Sequence, residues 1–147
     1  MRFVLDTNIL ISYLKENRIR KHIQENLKPF NVGSIPIISV ISLGEIESLA
    51  LRNYWGSKRR SAVGRLINSC VITDINSRDV IRRYAEIDAF SQGKLSELPL
   101  HKSSRNMGKN DLWIAATSSV LDAKLITTDK DFAHLDKVFL DLEFVEI

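Results

Sequence analysis

One cysteine in 147 residues leaves no partner for an internal disulfide and no thiolate cage for a metal. Cys70, set among Ile67, Val71 and Ile72, reads as a packed thiol, and the chain as an intracellular, cytoplasmic one. Histidine is nearly as scarce: His22, His101 and His134 are scattered, so no tetrahedral zinc site is expected. Three prolines, six glycines and 7% aromatics exclude collagen-like and low-complexity chains. No stretch approaches the roughly 20 apolar residues of a membrane span. The start, MRFVLDTNIL, offers no secretory core, because Asp6, Thr7 and Asn8 interrupt the apolar run Phe3, Val4, Leu5. What is present, 44% hydrophobic positions over 147 residues, suffices for one ordinary core, and residues 1–147 are expected to form one domain.

The net charge is only +3, but it is unevenly spread. Between Glu47 and Asp74 no acid occurs, while Arg52, Lys58, Arg59, Arg60 and Arg65 do. A second acid-free window, Glu97 to Asp111, holds His101, Lys102, Arg105 and Lys109. Either window suits contact with phosphates, although a basic run is more often a solvated helix face. From Asp129 onward acids dominate, with Asp129, Asp131, Asp136, Asp141, Glu143 and Glu146 against Lys130 and Lys137.

Phe3, Val4 and Leu5 lack alternation, the pattern of a strand buried on both faces of a parallel sheet, and Asp6 ends that strand. Ile9, Leu10, Tyr13 and Leu14, then Ile19, Ile23 and Leu27, keep helical spacing up to Pro29, so a helical hairpin is expected. The stripe Ile19, Ile23, Leu27 is either core or a groove for a partner. Ile35 to Ile41 reads as a second strand and Ser42 as the start of a helix carrying Ile46 and Ala50. A basic helix over Ser57 to Asn68, a strand over Cys70 to Ile75, and a helix over Arg78 to Phe90 follow. Gly93 to Gly108 reads as a loop, Asn110 as the cap of a helix containing Trp113, and Lys124 to Thr127 as a fourth strand. Val138 to Ile147 holds one or two more strands. Trp113 belongs to the inward stripe of its helix, whereas Tyr54 and Trp55 are open to core packing or base stacking. Alternating strands and helices imply a layered α/β fold with a mostly parallel sheet.

In such sheets ligands bind beyond the carboxyl ends of the strands. Asp6 ends strand one and Asp129 ends strand four; Glu45 and Asp111 fall in first turns of helices near the same edge. Each has a bland alternative. Glu45 stands three residues after Ser42 and Asp131 three after Thr128, as in capping boxes; Asp111 suits a helix dipole, and Asp6 an Asx turn. Jointly they suggest a shared purpose. Two carboxylates about 4 Å apart repel by about 4 kcal/mol at an effective dielectric near 20, and a divalent cation relieves that. Oxygen-only ligands suit Mg²⁺ or Mn²⁺, and the chemistry such a site serves is phosphodiester hydrolysis.

The segments LDTNILISYL, SLGEIESL, KNDLWIAATS and LITTDKDF, in that order, resemble the PIN domain family, and most of all its VapC-type toxins of toxin–antitoxin pairs. The similarity spans nearly the whole chain. It implies a three-layer α/β/α sandwich, an acidic pocket for Mg²⁺ or Mn²⁺, and cleavage of single-stranded RNA. Carried over motif by motif, Asp6, Glu45, Asp111 and Asp129 match the acids, with Asp131 competing for the fourth place. Thr7, Asn8 and Thr128 match small polar positions that orient carboxylates or bound water. The resemblance also implies a homodimer and an antitoxin partner that covers the pocket. The basic segment lies outside the family signature, so Lys58, Arg59, Arg60, Lys102, Arg105 and Lys109 are candidates for RNA guidance on charge alone. A PIN-like module without catalysis, holding RNA or protein, is the alternative. A receiver-type signalling domain fits less well, because Asp6 has no adjacent acid, and a haloacid-dehalogenase-like phosphatase needs Asp where Asn8 stands.

Overall fold

The computed structural model describes residues 1–15 and 17–146. Strand β1 (Arg2–Leu5) leads into α1 (Thr7–Lys15) and α2 (Arg18–Asn26), the expected hairpin. Then come β2 (Ile35–Ser39), α3 (Val40–Arg52), α4 (Ser57–Asn68), β3 (Val71–Thr73) and α5 (Arg78–Ser91). After the long loop follow α6 (Lys109–Val120), β4 (Lys124–Thr127), a 3₁₀ helix (Lys130–Leu135) and β5 (Asp141–Phe144). The third strand is shorter than Cys70 to Ile75, and among the described residues one strand, β5, occupies the stretch from Val138, Ile147 lying outside them.

All five strands are parallel, in the order β3-β2-β1-β4-β5. Pairs buried on both faces explain the unalternating runs: Phe3, Val4 and Leu5 are 2%, 0% and 0% exposed. Alternate residues serve opposite layers. Val4, Ile37 and Leu125 pack with Val80, Ile87 and Phe90 of α5 and Leu112 and Ala116 of α6. Phe3, Leu5, Ile38 and Ile126 face Ile9, Leu10 and Tyr13 of α1, Ile23 of α2 and Ile46 of α3. The product is the three-layer α/β/α arrangement. Ile23 is fully buried, with Ile19 and Leu27 packed beside it, so the hairpin stripe is core. Trp113 packs on Tyr84 at 4.2 Å between centroids, and Trp55 lies against the core beneath Arg59, 5.1 Å above its ring. Cys70 is half-buried, and burial raises its thiol to about 11, consistent with an inert packed thiol. Among the described residues no helix is long and apolar enough to cross a membrane.

The strand order matters most for function. Successive connections run one way from β1 to β2 and β3 and the other way to β4 and β5, so the chain reverses direction between β1 and β4. A crevice opens beyond the carboxyl ends of strands at such a point. The β1–β4 register pairs Leu5 with Ile126, and Asp6 N–H continues the ladder by donating to Ile126 O at 3.1 Å. Asp6 therefore leaves the sheet directly beside Thr127.

Candidate active site

Asp6 is 5% exposed and immediately precedes α1. Its two carboxylate oxygens are separately held: Thr127 Oγ1 donates to Oδ2 at 2.6 Å, and Thr7 N–H donates to Oδ1 at 2.8 Å. Thr127 Oγ1 also accepts from Asp129 N–H at 3.0 Å, tying the last inner strand to the next acid. Thr128 was the expected hydroxyl. Register explains why Thr127 serves Asp6 instead: it is the residue beside Asp6 at the end of β4, and Thr128 follows after the strand has ended.

Thr7 links a second acid. Its hydroxyl donates to Glu45 Oε1 at 2.7 Å and lies 2.9 Å from Ser42 Oγ. The Ser42–Glu45 capping box does not form, because α3 begins at Val40 and its cap is Ser39, whose hydroxyl accepts from Ile41 N–H at 3.1 Å. Glu45 thus falls beyond the first turn, and its carboxylate serves Thr7 rather than a helix end. Similarly, Gly108 and not Asn110 caps α6, without a side-chain bond, and Asp111 remains in the first turn. Asp129, not Thr128, caps the 3₁₀ helix, its Oδ1 accepting from Asp131 N–H at 2.9 Å.

Asp6, Glu45, Asp111 and Asp129, from four separate elements, line one cavity of about 740 Å³ together with Thr7, Asn8 and Asn110. Oxygens of Asp111, Asp129 and Asp131 lie within 4.8 Å of one another. Asp131 is the exposed outer member and lines an adjoining hollow with Ser103, Ser104 and Arg105. Asn8 lines the cavity too, its side-chain carbonyl oxygen buried without a hydrogen-bond partner among the described residues.

The electrostatics record the crowding. Burial pushes the Asp111 carboxyl up to about 7, reinforced by the negative charges of Asp6, Asp129, Glu45 and Asp131. Burial also raises Asp6 above the ordinary carboxylate range, against the lowering effect of its bonds from Thr127 and Thr7, with Glu45 and Asp129 adding to the rise. Such a site holds charge it does not neutralise itself. The donor set consists of hard oxygens, which fits Mg²⁺ or Mn²⁺ and not a soft metal.

Of the basic candidates, Lys58, Arg59, Arg60, Lys102, Arg105 and Lys109 do not line the cavity. Arg60 pairs with Glu47 at 3.2 Å, Arg59 covers Trp55, and Arg105 borders the adjoining hollow. The cation that does line the cavity is Arg52, seven residues beyond Glu45 on α3 and so on the same helix face. That spacing was the signal available in the sequence; Thr127 had none apart from register.

Thr127→Val keeps shape and removes the hydroxyl that serves both Asp6 and Asp129. We expect a stability loss of about 1–3 kcal/mol, since the Asp6 oxygen and the Asp129 amide lose a partner, together with a 10- to 100-fold loss (order of magnitude) of any activity the acids support. Urea unfolding and the rate of that activity on the same preparation check it; an unaltered rate would remove Thr127 from the site.

A family model described as PIN domain matches residues 3–138. No curated protein matches by sequence. Among solved structures, VapBC-1 from nontypeable Haemophilus influenzae is similar, at TM-score 0.74 and 27% identity, covering 98% of each chain. VapBC2 from Rickettsia felis, solved bound to a DNA fragment from its promoter, has TM-score 0.76 and 23% identity over 98% of each chain. A toxin–antitoxin complex from Klebsiella pneumoniae has TM-score 0.65 and 24% identity, again over 98% of each chain.

Proposed function

The chain belongs to the PIN domain family, and from that premise we propose that it is a metal-dependent endoribonuclease, the toxin of a toxin–antitoxin pair. The observation that carries this reading is the convergence of Asp6, Glu45, Asp111 and Asp129 on one cavity, with Asp131 at its edge. The structural likeness to VapBC-1, at 27% identity, supports the toxin–antitoxin part. On this reading residues 1–147 act as one domain, located in the cytoplasm, and assemble as a homodimer with a protein antitoxin that covers the cavity.

Asp6, Asp111, Glu45 and Asp129 would hold Mg²⁺ or Mn²⁺, with Asp131 as outer support. When bound, the dication supplies positive charge to the non-bridging phosphate oxygens and eases deprotonation of the attacking water. The protein's own part is orientation and proton handling. Thr127 and the Thr7 amide fix both oxygens of Asp6, so its carboxylate presents one orientation. The Thr7 hydroxyl occupies Oε1 of Glu45 and leaves Oε2 for water, where Glu45 can accept a proton as water attacks phosphorus and the P–O bond to the leaving ribose breaks. Asn8 offers its unpartnered carbonyl oxygen to water in the same space.

The test is incubation of the purified chain with single-stranded RNA and Mg²⁺, Mn²⁺ or a chelator. Cleavage with either ion and none with chelator is expected. Tight RNA or protein binding without cleavage under all three conditions would favour the inactive module instead.

A further inference from the structure

Gly44 is unexplained by packing or by backbone geometry. It lies inside α3, where glycine weakens a helix relative to alanine. Its φ is not positive, and a Cβ added there would meet no atom within 4 Å. It lines the cavity beside Glu45. The same helix face continues through Ser48 and Leu49 to Arg52, all of which line the cavity as well. At 1.5 Å rise per residue, Arg52 stands about 10 Å along the axis from Glu45. Its Nε donates to Ser48 Oγ at 3.2 Å, and among the described residues it forms no ion pair. The cavity is therefore lined along α3 by Gly44 and Glu45 at the acidic end, by Arg52 about two turns on, and by Ser48 and Leu49 between them.

An RNA strand carries a charge at every nucleotide. Neutralising one phosphate at the acidic end leaves the next one facing carboxylates, which is unfavourable unless a cation meets it. Resting on the hydrolase reading above, the geometry points to a flanking-phosphate subsite: Arg52, steadied by Ser48, holds the phosphate next to the scissile one, the intervening ribose crosses α3 at Ser48 and Leu49, and the bare surface at Gly44, beside Glu45, leaves room for the nucleotide at the acidic end. Arginine suits the task because its planar fork can donate two parallel hydrogen bonds to phosphate oxygens. Charge complementarity favours RNA over a protein occupant, since the backbone repeats the anion that Arg52 requires.

Two readouts test this. The first is anisotropy with a 2′-O-methyl single-stranded oligoribonucleotide over about 50–200 mM salt, which needs no cleavage. Arg52→Ala is expected to bind about tenfold more weakly at the low end, and the slope of log affinity against log salt to become shallower by about 0.7, the value for one phosphate contact on a single strand. Gly44→Ala is expected to raise the melting temperature and still weaken binding, a combination that a purely structural glycine would not give. The second readout compares kcat/KM on a dinucleoside monophosphate, whose single phosphate is the scissile one, with that on a hexanucleotide. The ratio of wild type to Arg52→Ala is expected to be about tenfold larger on the hexanucleotide. An unchanged salt slope overturns the proposal and leaves Arg52 to a protein partner. Equal losses on both substrates overturn it too, by assigning Arg52 to the scissile centre. If the wild type cleaves nothing, the hydrolase reading fails while the salt slope still decides whether Arg52 meets phosphate.

Discussion

Asp6→Asn is expected to lower metal-dependent RNA cleavage by about 1000-fold or more, while the melting temperature stays within a few degrees of wild type. Asp6 is buried, yet the asparagine amide preserves its shape. The amide oxygen continues to accept from Thr7 N–H, and the new N–H₂ faces Thr127 Oγ1, which has a second lone pair to offer beside the one used by the Asp129 amide. The cost is the proton of the Thr127 hydroxyl, which loses its acceptor, on the order of 1 kcal/mol. Against it stands relief of a carboxylate whose charged form is disfavoured by burial and by Glu45 and Asp129. Chemistry has no such compensation, since a neutral amide neither balances a dication nor binds it strongly. RNA cleavage assays alongside thermal denaturation separate the outcomes. Cleavage at the wild-type rate removes Asp6 from the mechanism, and a collapse in melting temperature assigns the loss to unfolding.

The second large effect is a coupling between pH, stability and metal. In the folded chain Asp111 keeps its proton up to about 7, chiefly through burial and then through the neighbouring acids. Its unfolded counterpart releases that proton near 4. Between those limits Asp111 is protonated in the folded state and ionised in the unfolded one, so its contribution to metal-free stability falls as pH rises through this window and levels off above it. The shift sets an upper limit of about 4 kcal/mol, and the partial exposure of Asp111 reduces the expectation to about 2 kcal/mol. On the proposed reading Mg²⁺ would compete with the proton for the same oxygens. It is expected to stabilise little near pH 5 and most above pH 7 (approximate limits), with apparent affinity rising across the interval. Urea unfolding with chelator or with Mg²⁺, at several pH values, checks both statements. A metal-free stability difference, wild type minus Asp111→Asn, that rises from pH 5 to 8 (approximate limits) would refute the assignment of Asp111 to a crowded acidic site. His134 acts in the opposite sense below about pH 6.5: burial, then Arg105 and Lys102, push it down to about 4 in the folded chain while the unfolded imidazole protonates near 6.5, so its contribution rises with pH, and the Asp111 effect is read as the difference between wild type and Asp111→Asn.

Much of this molecule was legible in the order of its residues. The apolar runs at Phe3 to Leu5 and Lys124 to Thr127 are strands of a parallel sheet, and the helical periods of Ile9 to Tyr13 and Val80 to Phe90 lie on its two faces. The acids stood out because they end strands or begin helices, and topology brings those ends to one edge. Local signals misled where they competed with longer-range ones. Ser42–Glu45 has the spacing of a capping box, but Ser39 had already started the helix, and the freed Glu45 carboxylate met Thr7 from a different element. The basic stretch Lys58 to Arg60 stands out by density, but its tertiary contacts, Arg60 with Glu47 and Arg59 over Trp55, join segments that no local pattern relates.

Period and composition act between near neighbours, so the residues alone determined the α/β layering, the core stripes, the family and which acids to compare. That Thr127 bonds Asp6, that Arg52 and not the denser basic cluster lines the cavity, and that Asp129 lines it while Asp131 lines the adjoining hollow, follow from the tertiary structure alone. Each depends on strand register or on which face of a helix meets another element, and those are relations between segments that lie far apart along the chain.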